Sequence, residues 1–164
     1  MCDLTRSPPP TSAIVKAQDR ERSADETAVR LLAEWRDALI AAKAHAVTSM
    51  YTHDALFFGS AAELRRGHRE ILDYFAVVPK GYVRDVIFSR TRAAHVAPDA
   101  IVVASFVDFN LESNGVQELR KWRITWTLVR DRAGPWRIAA HHAGPMGTEK
   151  STSVVQAPTA VSGN

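Results

Sequence analysis

The hydrophobic positions of this chain change their period at Gly81. Before Gly81, apolar residues recur at the spacing of one face of an α-helix, and after it they alternate with polar residues as in β-strands. The longest helical stretch predicts a helix over residues 24–44, whose apolar face carries Ala28, Leu32, Trp35, Leu39 and Ala42. Ser23 and Glu26 stand at the capping-box spacing, so the sequence predicts that this helix opens at Ser23.

Two shorter helices and one short strand are predicted between this helix and Gly81. The second helix covers residues 45–51, and residues 55–58 form the strand. A third helix begins at His68, and the sequence Pro79-Lys80-Gly81 ends it. The first half of the domain is therefore predicted to be mainly helical.

Four strands are predicted after Gly81, over residues 83–95, 100–112, 117–130 and 136–143. The Asn114-Gly115 pair is a strong signal for a two-residue hairpin turn between the second and third of these strands. Helices gathered before such an antiparallel meander predict an α+β fold. We expect three N-terminal helices packed on one face of a strongly curved, mostly antiparallel sheet.

The length and the local composition predict one domain between two tails. A chain of 164 residues suits a single domain. Residues 1–22 contain three consecutive prolines and little apolar material, and we expect a disordered tail there. Residues 147–164 are rich in Ser, Thr, Ala and Val, and we expect a flexible tail. The folded domain is therefore predicted to span residues 23–146.

Charge and cysteine content exclude several classes of function. The formal net charge is only +3, and carboxylates lie between the arginines, so no nucleic-acid surface is expected. The single cysteine, Cys2, excludes an internal disulfide and a multi-cysteine zinc site. The sequence has no signal peptide and no apolar segment long enough to cross a membrane, so we expect no membrane association and a cytoplasmic location.

The strand that follows Asn114-Gly115 has two very different faces. One face carries Trp122, Ile124, Trp126 and Leu128, and the other carries Lys121, Arg123 and Thr125. The apolar face is either part of the core or a subunit interface. In the second case the polar face would look into a pocket between the sheet and the helices.

Four segments of the chain together resemble the nuclear transport factor 2-like superfamily, in the branch of SnoaL-like proteins and the calcium/calmodulin-dependent protein kinase II association domain. The segments are Tyr51-Thr52-His53-Asp54-Ala55, the stretch from Leu64 to Phe75, Arg123-Ile124-Thr125-Trp126, and Trp136-Arg137-Ile138-Ala139-Ala140-His141-His142. The resemblance extends over about residues 25–146. It implies a cone-shaped, cystatin-like α+β fold with an internal cavity.

The resemblance also carries expectations about partners and activity. Members commonly pair through the outer sheet face, which implies a homodimer or larger assembly through Trp122 and Trp126. The superfamily contains isomerases, cyclases, dehydratases and purely binding or assembly domains, so the fold alone does not decide the function. The closing strand departs from the branch pattern, because Ala140, Ala143 and Gly144 stand where other members have polar residues.

Asp108 and Arg123 are the candidate charged groups of a site. Asp108 lies in an otherwise apolar strand, where burial would raise the pKa of its carboxyl group and suit it to act as a general base. The alternative is that Asp108 lies in water at the rim. Arg123 beside Thr125 could hold a ligand carboxylate, or Arg123 could form an ion pair with Asp108 or Glu118.

His141 and His142 alternate along the last predicted strand and point to opposite faces, so they cannot bind one metal ion together. One of the two is a candidate hydrogen-bonding group in a pocket. No metal site and no cofactor are expected. The resemblance adds candidates for the cavity wall, which would otherwise be core residues: Trp35, Tyr51, Phe57 and Tyr74.

Two hypotheses for the function follow. The first is a small-molecule-binding domain, with or without isomerase or cyclase activity, for a small apolar or carboxylate-bearing ligand. Asp108 would be its base, and Arg123 and His141 would orient the substrate. The second hypothesis is a non-catalytic oligomerisation module, which the loss of polar residues from the closing strand favours.

Overall fold

The structure is a computed structural model that describes residues 11–146. It contains three helices and six strands in the order α1 (Thr11–Ile40), α2 (Ala44–Ser49), β1 (Tyr51–Phe58), β2 (Leu64–Arg66), α3 (Gly67–Ala76), β3 (Val83–Ala97), β4 (Ala100–Ser113), β5 (Val116–Val129) and β6 (Arg137–Pro145). The described helices include none that is long and apolar enough to cross a membrane.

The six strands form one sheet in the order β2-β1-β6-β5-β4-β3. Strand β1 runs parallel to β6, and every other neighbouring pair is antiparallel. Helix α1 packs against β3, and α3 packs against α2 and β1. The predicted α+β fold, with helices on one face of a mostly antiparallel sheet, is therefore confirmed.

The hairpin between β4 and β5 has the turn that the sequence predicts. Asn114 and Gly115 both have positive φ, at 51° and 77°, as a type I′ turn requires. This two-residue turn places Ser113 opposite Val116 and continues without a register shift, which aligns Val103 with Trp126. The turn therefore fixes which residues of the two strands share a face.

The apolar face of β5 belongs to the core. Trp126 and Leu128 are fully buried and Ile124 nearly so, and the Trp126 ring lies 5.7 Å from the ring of Trp35 on α1. A subunit interface built on Trp126 is therefore wrong, because α1 of the same chain covers that face. The interpretation of this face as core is the correct one.

The opposite face of β5 is the outer face of the sheet. Lys121, Arg123 and Thr125 are all exposed. The prediction that these residues look into a pocket between sheet and helices is wrong, because the helices lie on the other side. Strand alternation separates the two faces but does not say which one the helices will cover.

The first helix is longer than the sequence pattern indicates. It begins at Thr11, so residues 11–22 are helical, contrary to the prediction of a disordered segment. Ser23 lies inside the helix, where its carbonyl oxygen accepts a hydrogen bond from the Thr27 hydroxyl, and it does not cap the helix. The early turns contain good helix formers and an Arg22–Asp19 ion pair, which together outweigh the local capping signal.

Some expectations fall beyond the part of the chain that the structure describes. Residues 1–10 of the predicted N-terminal tail and the whole predicted tail 147–164 lie outside the described residues. Strand β2 was not anticipated, because its three residues carry too short a pattern to show alternation. It adds an edge to the sheet beside β1.

Candidate functional site

A cavity of about 150 Å3 lies between the inner face of the sheet and the helices. Aromatic side chains line the buried end of the cavity. Apolar, tyrosine and arginine side chains line its more exposed end. The wall residues are Trp35, Leu39, Phe57, Gly59, Ser60, Tyr74, Phe75, Val78, Tyr82, Val83, Phe109, Leu111, Arg120, Trp122, His141 and Ala143.

His141 is the polar group at the buried end of the cavity, and it is only 4% exposed. Its Nδ1 atom lies 2.7 Å from the hydroxyl of Tyr51, and that hydroxyl accepts a hydrogen bond of 3.2 Å from the indole Nε1 of Trp35. Strand β6 supplies the histidine, β1 the tyrosine and α1 the tryptophan. Three elements distant in sequence thus form one buried hydrogen-bonded chain.

This chain of contacts favours one set of proton positions. Trp35 Nε1 can only donate, so the Tyr51 oxygen accepts from it, and the hydroxyl hydrogen is free to go to His141 Nδ1. Burial raises the pKa of Tyr51, which keeps its proton. Burial also lowers the pKa of His141 to about 3, with a smaller contribution from His142, so the imidazole is neutral at pH 7. A neutral imidazole that accepts at Nδ1 carries its own proton on Nε2.

The Nε2 atom of His141 is buried and has no hydrogen-bond partner within residues 11–146. The indole Nε1 of Trp126 is in the same situation, and the ring centroids of the two residues are 5.2 Å apart. Most buried polar groups in proteins have a partner, and those without one require an explanation. The two unpaired N–H groups are the principal chemical peculiarity of this region.

Tyr74 forms a wall of the cavity that is held in place from three sides. Its hydroxyl lies 2.7 Å from Ser60 Oγ and accepts a hydrogen bond of 2.9 Å from the Ser60 backbone nitrogen. The Arg65 guanidinium lies 5.4 Å from the ring centroid. Gly59 lies so close that a Cβ atom there would be 2.6 Å from the Tyr74 ring. A glycine is therefore needed at this position for the ring to keep its place.

Arg120 is the charged residue of the cavity wall. Its guanidinium forms hydrogen bonds of 2.7 and 2.9 Å with the two carboxylate oxygens of Glu118, which lies outside the wall. This contact lowers the pKa of Glu118 and is exposed to solvent. The positive charge of Arg120 is thus already paired.

Four of the predicted site residues line the cavity: Trp35, Phe57, Tyr74 and His141. Tyr51 lies directly behind His141 and is fully buried. The predicted location of these five side chains at the cavity is therefore observed. Their contact with a ligand stays a prediction.

The three remaining predicted site residues, Asp108, Arg123 and Thr125, are not at the cavity. Asp108 lies on the outer face, in register with Ile87 and Lys121, because its neighbours Val107 and Phe109 face inward. Arg123 and Thr125 are exposed on the same outer face. The prediction that Asp108 is a general base inside the cavity and that Arg123 orients a ligand there is wrong in its geometry.

Two features of the site could not be found by motif. Tyr51 and His141 are 90 residues apart in the sequence, and no local spacing predicts their contact. Gly59, Ser60 and Arg120 also line the cavity, and no motif in the sequence predicts this. Phe109 and Trp122 did carry a signal, since the Asn114-Gly115 turn places both strands in a register that puts these rings on one face, with centroids 6.4 Å apart.

The described residues offer no group of three or more His, Cys, Asp and Glu side chains that could hold a metal ion. His141 faces the cavity, whereas His142 is exposed on the outer face beside Phe58, with ring centroids 5.7 Å apart. The two histidines therefore point in opposite directions, as strand alternation requires.

The α+β arrangement of helices on a curved mixed sheet is that of a nuclear transport factor 2-like protein with a cystatin-like fold. Residues 29–147 match the family model of the SnoaL-like domain. The chain belongs to this SnoaL-like family. No curated protein sequence matches it significantly.

Solved structures show the same fold. A protein assigned to the calcium/calmodulin-dependent protein kinase II association domains, from Xanthomonas campestris, has 24% sequence identity and a TM-score of 0.66, over 73% of this chain and 85% of that chain. A nuclear transport factor 2-like protein from Novosphingobium aromaticivorans has 17% identity and a TM-score of 0.65, over 95% and 99%. A ketosteroid isomerase-like protein from Erwinia carotovora atroseptica has 17% identity and a TM-score of 0.64, over 79% and 98%. At these identities the similarity shows the fold alone.

Proposed function

We propose that this SnoaL-like domain binds a small, apolar, ring-containing molecule in its cavity. The observation that carries the proposal is an aromatic pocket with one buried polar group, His141, at its inner end. Such a combination of apolar walls and a few placed polar groups is typical of ligand sites. A cavity of about 150 Å3 has room for roughly one benzene-sized ring.

Binding is favoured over catalysis by a general base. The cavity wall contains no carboxylate among the described residues, and Asp108 lies on the other side of the sheet. An effective general base has a pKa near the working pH, whereas burial lowers the pKa of His141 to about 3. An isomerase or cyclase reaction that begins with proton removal by this protein is therefore not part of the proposal.

The proposal is tested by filling the cavity. Ala143 lies on its wall, and Ala140, on the same strand, faces the opposite side in register with Leu56. Ala143→Leu should abolish binding of an aromatic probe such as acetophenone, and Ala140→Leu should retain it. The quenching of tryptophan fluorescence reports binding, because Trp35 and Trp122 line the cavity. Equal binding by the two variants, or none by the wild type, would contradict the proposal.

We also propose that the outer sheet face pairs with a second copy of this chain, which is the assembly function of the second hypothesis. Leu56, Phe58 and Leu64 are 45%, 40% and 52% exposed, and they lie on one face of two neighbouring strands, β1 and β2. The patch continues onto Ala140 of β6. A contiguous apolar patch on an open sheet face favours a partner with the same surface, as in a two-fold symmetric dimer.

The self-association is tested at Phe58 and not at Trp126, because a charge at the buried Trp126 would unfold the domain. Phe58→Lys should shift the molar mass, measured by light scattering on a sizing column, from dimer toward monomer. Val29→Lys is the matched control, since Val29 is 58% exposed on α1, away from this face. A monomeric wild type at micromolar concentration would show the idea to be wrong.

A further inference from the structure

We infer that the ring-containing ligand of the cavity carries a carboxylate, which binds the Arg120 guanidinium at the mouth of the cavity in place of the Glu118 carboxylate. The mouth is the more exposed end of the cavity, at Tyr82 and Arg120. The inference rests on the proposed ligand-binding function and deepens it by naming the polar end of the ligand. Arg123, to which the sequence assigns this contact, is exposed on the outer face, so Arg120 takes its place.

The inner face of β5 leads from the core to this mouth. Along that face Ile124 is buried, Trp122 and Arg120 are half-buried, and Glu118 is exposed. Trp122 and Arg120 belong to the cavity wall, and Glu118 lies outside it. Because residues two apart in a strand share a face, Arg120 follows Trp122 on the side of the cavity that is nearer to solvent.

The size of the cavity brings the polar end of a ligand to the mouth. The space of about 150 Å3 admits roughly one benzene-sized ring. A charged substituent on that ring would lose its hydration beside Phe109 and Trp122, whereas water and the Arg120 guanidinium both reach it at the mouth. Among the described residues, Arg120 is the only charged side chain of the wall, so the mouth favours a negative group.

The guanidinium of Arg120 has the donors that a carboxylate requires. It carries five N–H groups, of which two donate to the carboxylate oxygens of Glu118, over 2.7 Å from Nε and 2.9 Å from Nη2. The other three have no acceptor among the described residues. The two contacts with Glu118 have the fork geometry in which a guanidinium holds a ligand carboxylate.

Glu118 is a competitor that a ligand can displace. The side chains of Glu118 and Arg120 are 54% and 41% exposed, and ion pairs in such positions contribute little to stability. The pKa of Arg120 is raised mainly by its hydrogen bonds to Glu118, with a smaller contribution from Tyr82, so the guanidinium lies close to a second wall residue. A ligand that replaces Glu118 gains the same two hydrogen bonds and keeps its ring in the cavity.

The test compares 3-phenylpropanoate with 3-phenylpropanamide, which has nearly the same shape and no charge. At low ionic strength the wild-type protein should bind the acid about tenfold more tightly than the amide, measured by quenching of tryptophan fluorescence. Added salt should reduce this preference, because the contact is exposed to solvent. Arg120→Gln should bind the two probes equally, and Arg120→Lys, which keeps the charge without the fork, should show an intermediate preference.

The exchange with Glu118 has a test of its own. Glu118→Gln removes the competing carboxylate and should tighten binding of the acid roughly threefold, with no change for the amide. Glu34→Gln is the matched control, since it changes the net charge by the same amount on the exposed side of α1, outside the cavity wall. Equal effects of the two variants on the acid would contradict the exchange.

The outcomes distinguish this inference from the proposed function. If acetophenone and the amide bind but the acid has no advantage, the cavity binds ligands and the role of Arg120 is wrong. A preference for the acid that persists in Arg120→Gln would also overturn the inference. If acetophenone, the acid and the amide all fail to bind, both the proposed function and this inference are wrong.

Discussion

At the scale of single residues, His141 shows how burial changes the chemical properties of an ordinary side chain. The residue is 4% exposed and its Nδ1 lies 2.7 Å from the Tyr51 hydroxyl, while its Nε2 is buried without a hydrogen-bond partner among the described residues. The neighbouring His142 has the same side chain but lies exposed on the outer face. The difference between the two is one position of strand alternation.

The lowered pKa of His141 predicts an acid-sensitive stability. In the unfolded chain a histidine has a pKa near 6.5, and burial lowers that of His141 to about 3 in the folded protein. Between these two values the unfolded state binds the proton at this histidine more strongly than the folded state does. The stabilisation of the folded protein from neutral His141 is therefore complete above about pH 6.5 and is lost as the pH falls toward about 3. The free energy of unfolding should decrease by about 1.4 kcal/mol per pH unit from this residue.

Urea unfolding at several values between about pH 4 and pH 7 measures this slope. His141→Gln should make the dependence on pH shallower than in the wild type, because glutamine does not titrate. His45→Gln, on the exposed surface of α2, is the control and should retain the wild-type slope. Equal slopes in wild type and His141→Gln would show that His141 does not resist protonation in the folded state.

At the scale of elements, the β4–β5 hairpin sets the geometry of the site. Its turn aligns Val107 with Trp122 and Val103 with Trp126, and the inner face of both strands then packs against α1 and the cavity. The hairpin also places Asp108 and Arg123 on the outer face. A register shift of one residue would exchange these two faces completely.

The turn itself is a point where one substitution is expected to weaken the fold. Gly115 has φ of 77° and open space around its Cα, so a larger residue meets no clash and only the backbone conformation matters. Gly115→Ala should lower the free energy of unfolding by roughly 1 kcal/mol. Gly115→Asn is the matched control, since asparagine tolerates positive φ, and it should cost less. Equal stabilities of the two variants in urea unfolding would contradict the explanation.

At the scale of the whole molecule, aromatic side chains from four elements form one cluster that includes the ring of His141. Trp35 comes from α1, Tyr51 and Phe57 from β1, Phe75 from α3 and Trp126 from β5. Rings of this size prefer edge-to-face contacts, and the contacts of Trp35 with Phe75 and Trp126 are of this kind. The inner face of the sheet thus builds the cavity, and the outer face is left for the proposed partner.

The two sides of the sheet also explain why the functional proposals are separable. Ala143→Leu changes the cavity on the inner side of the sheet, and Phe58→Lys changes the proposed association surface on its outer side. Each should leave the other property intact, since the two positions lie on opposite faces. A loss of both properties in either variant would indicate that the cavity and the association surface are coupled.

The sequence by itself determined the local geometry. Helical spacing around Trp35, alternation in the last four strands and the Asn114-Gly115 turn were enough for the α+β class and for the two faces of β5. These features depend on neighbouring residues, whose spacing is visible along the chain. The same reasoning failed at Ser23, where the local capping signal lies inside a longer helix.

Only the tertiary structure decided which face of the sheet the helices cover, and therefore that Trp126 is core and that Arg123 and Asp108 are outside the cavity. Alternation is symmetric between the two faces, so it cannot make this choice. The pairing of Tyr51 with His141 was likewise beyond the sequence, because it joins residues 90 positions apart through the parallel contact of β1 and β6. Long-range packing brings these atoms together, and no local pattern encodes it.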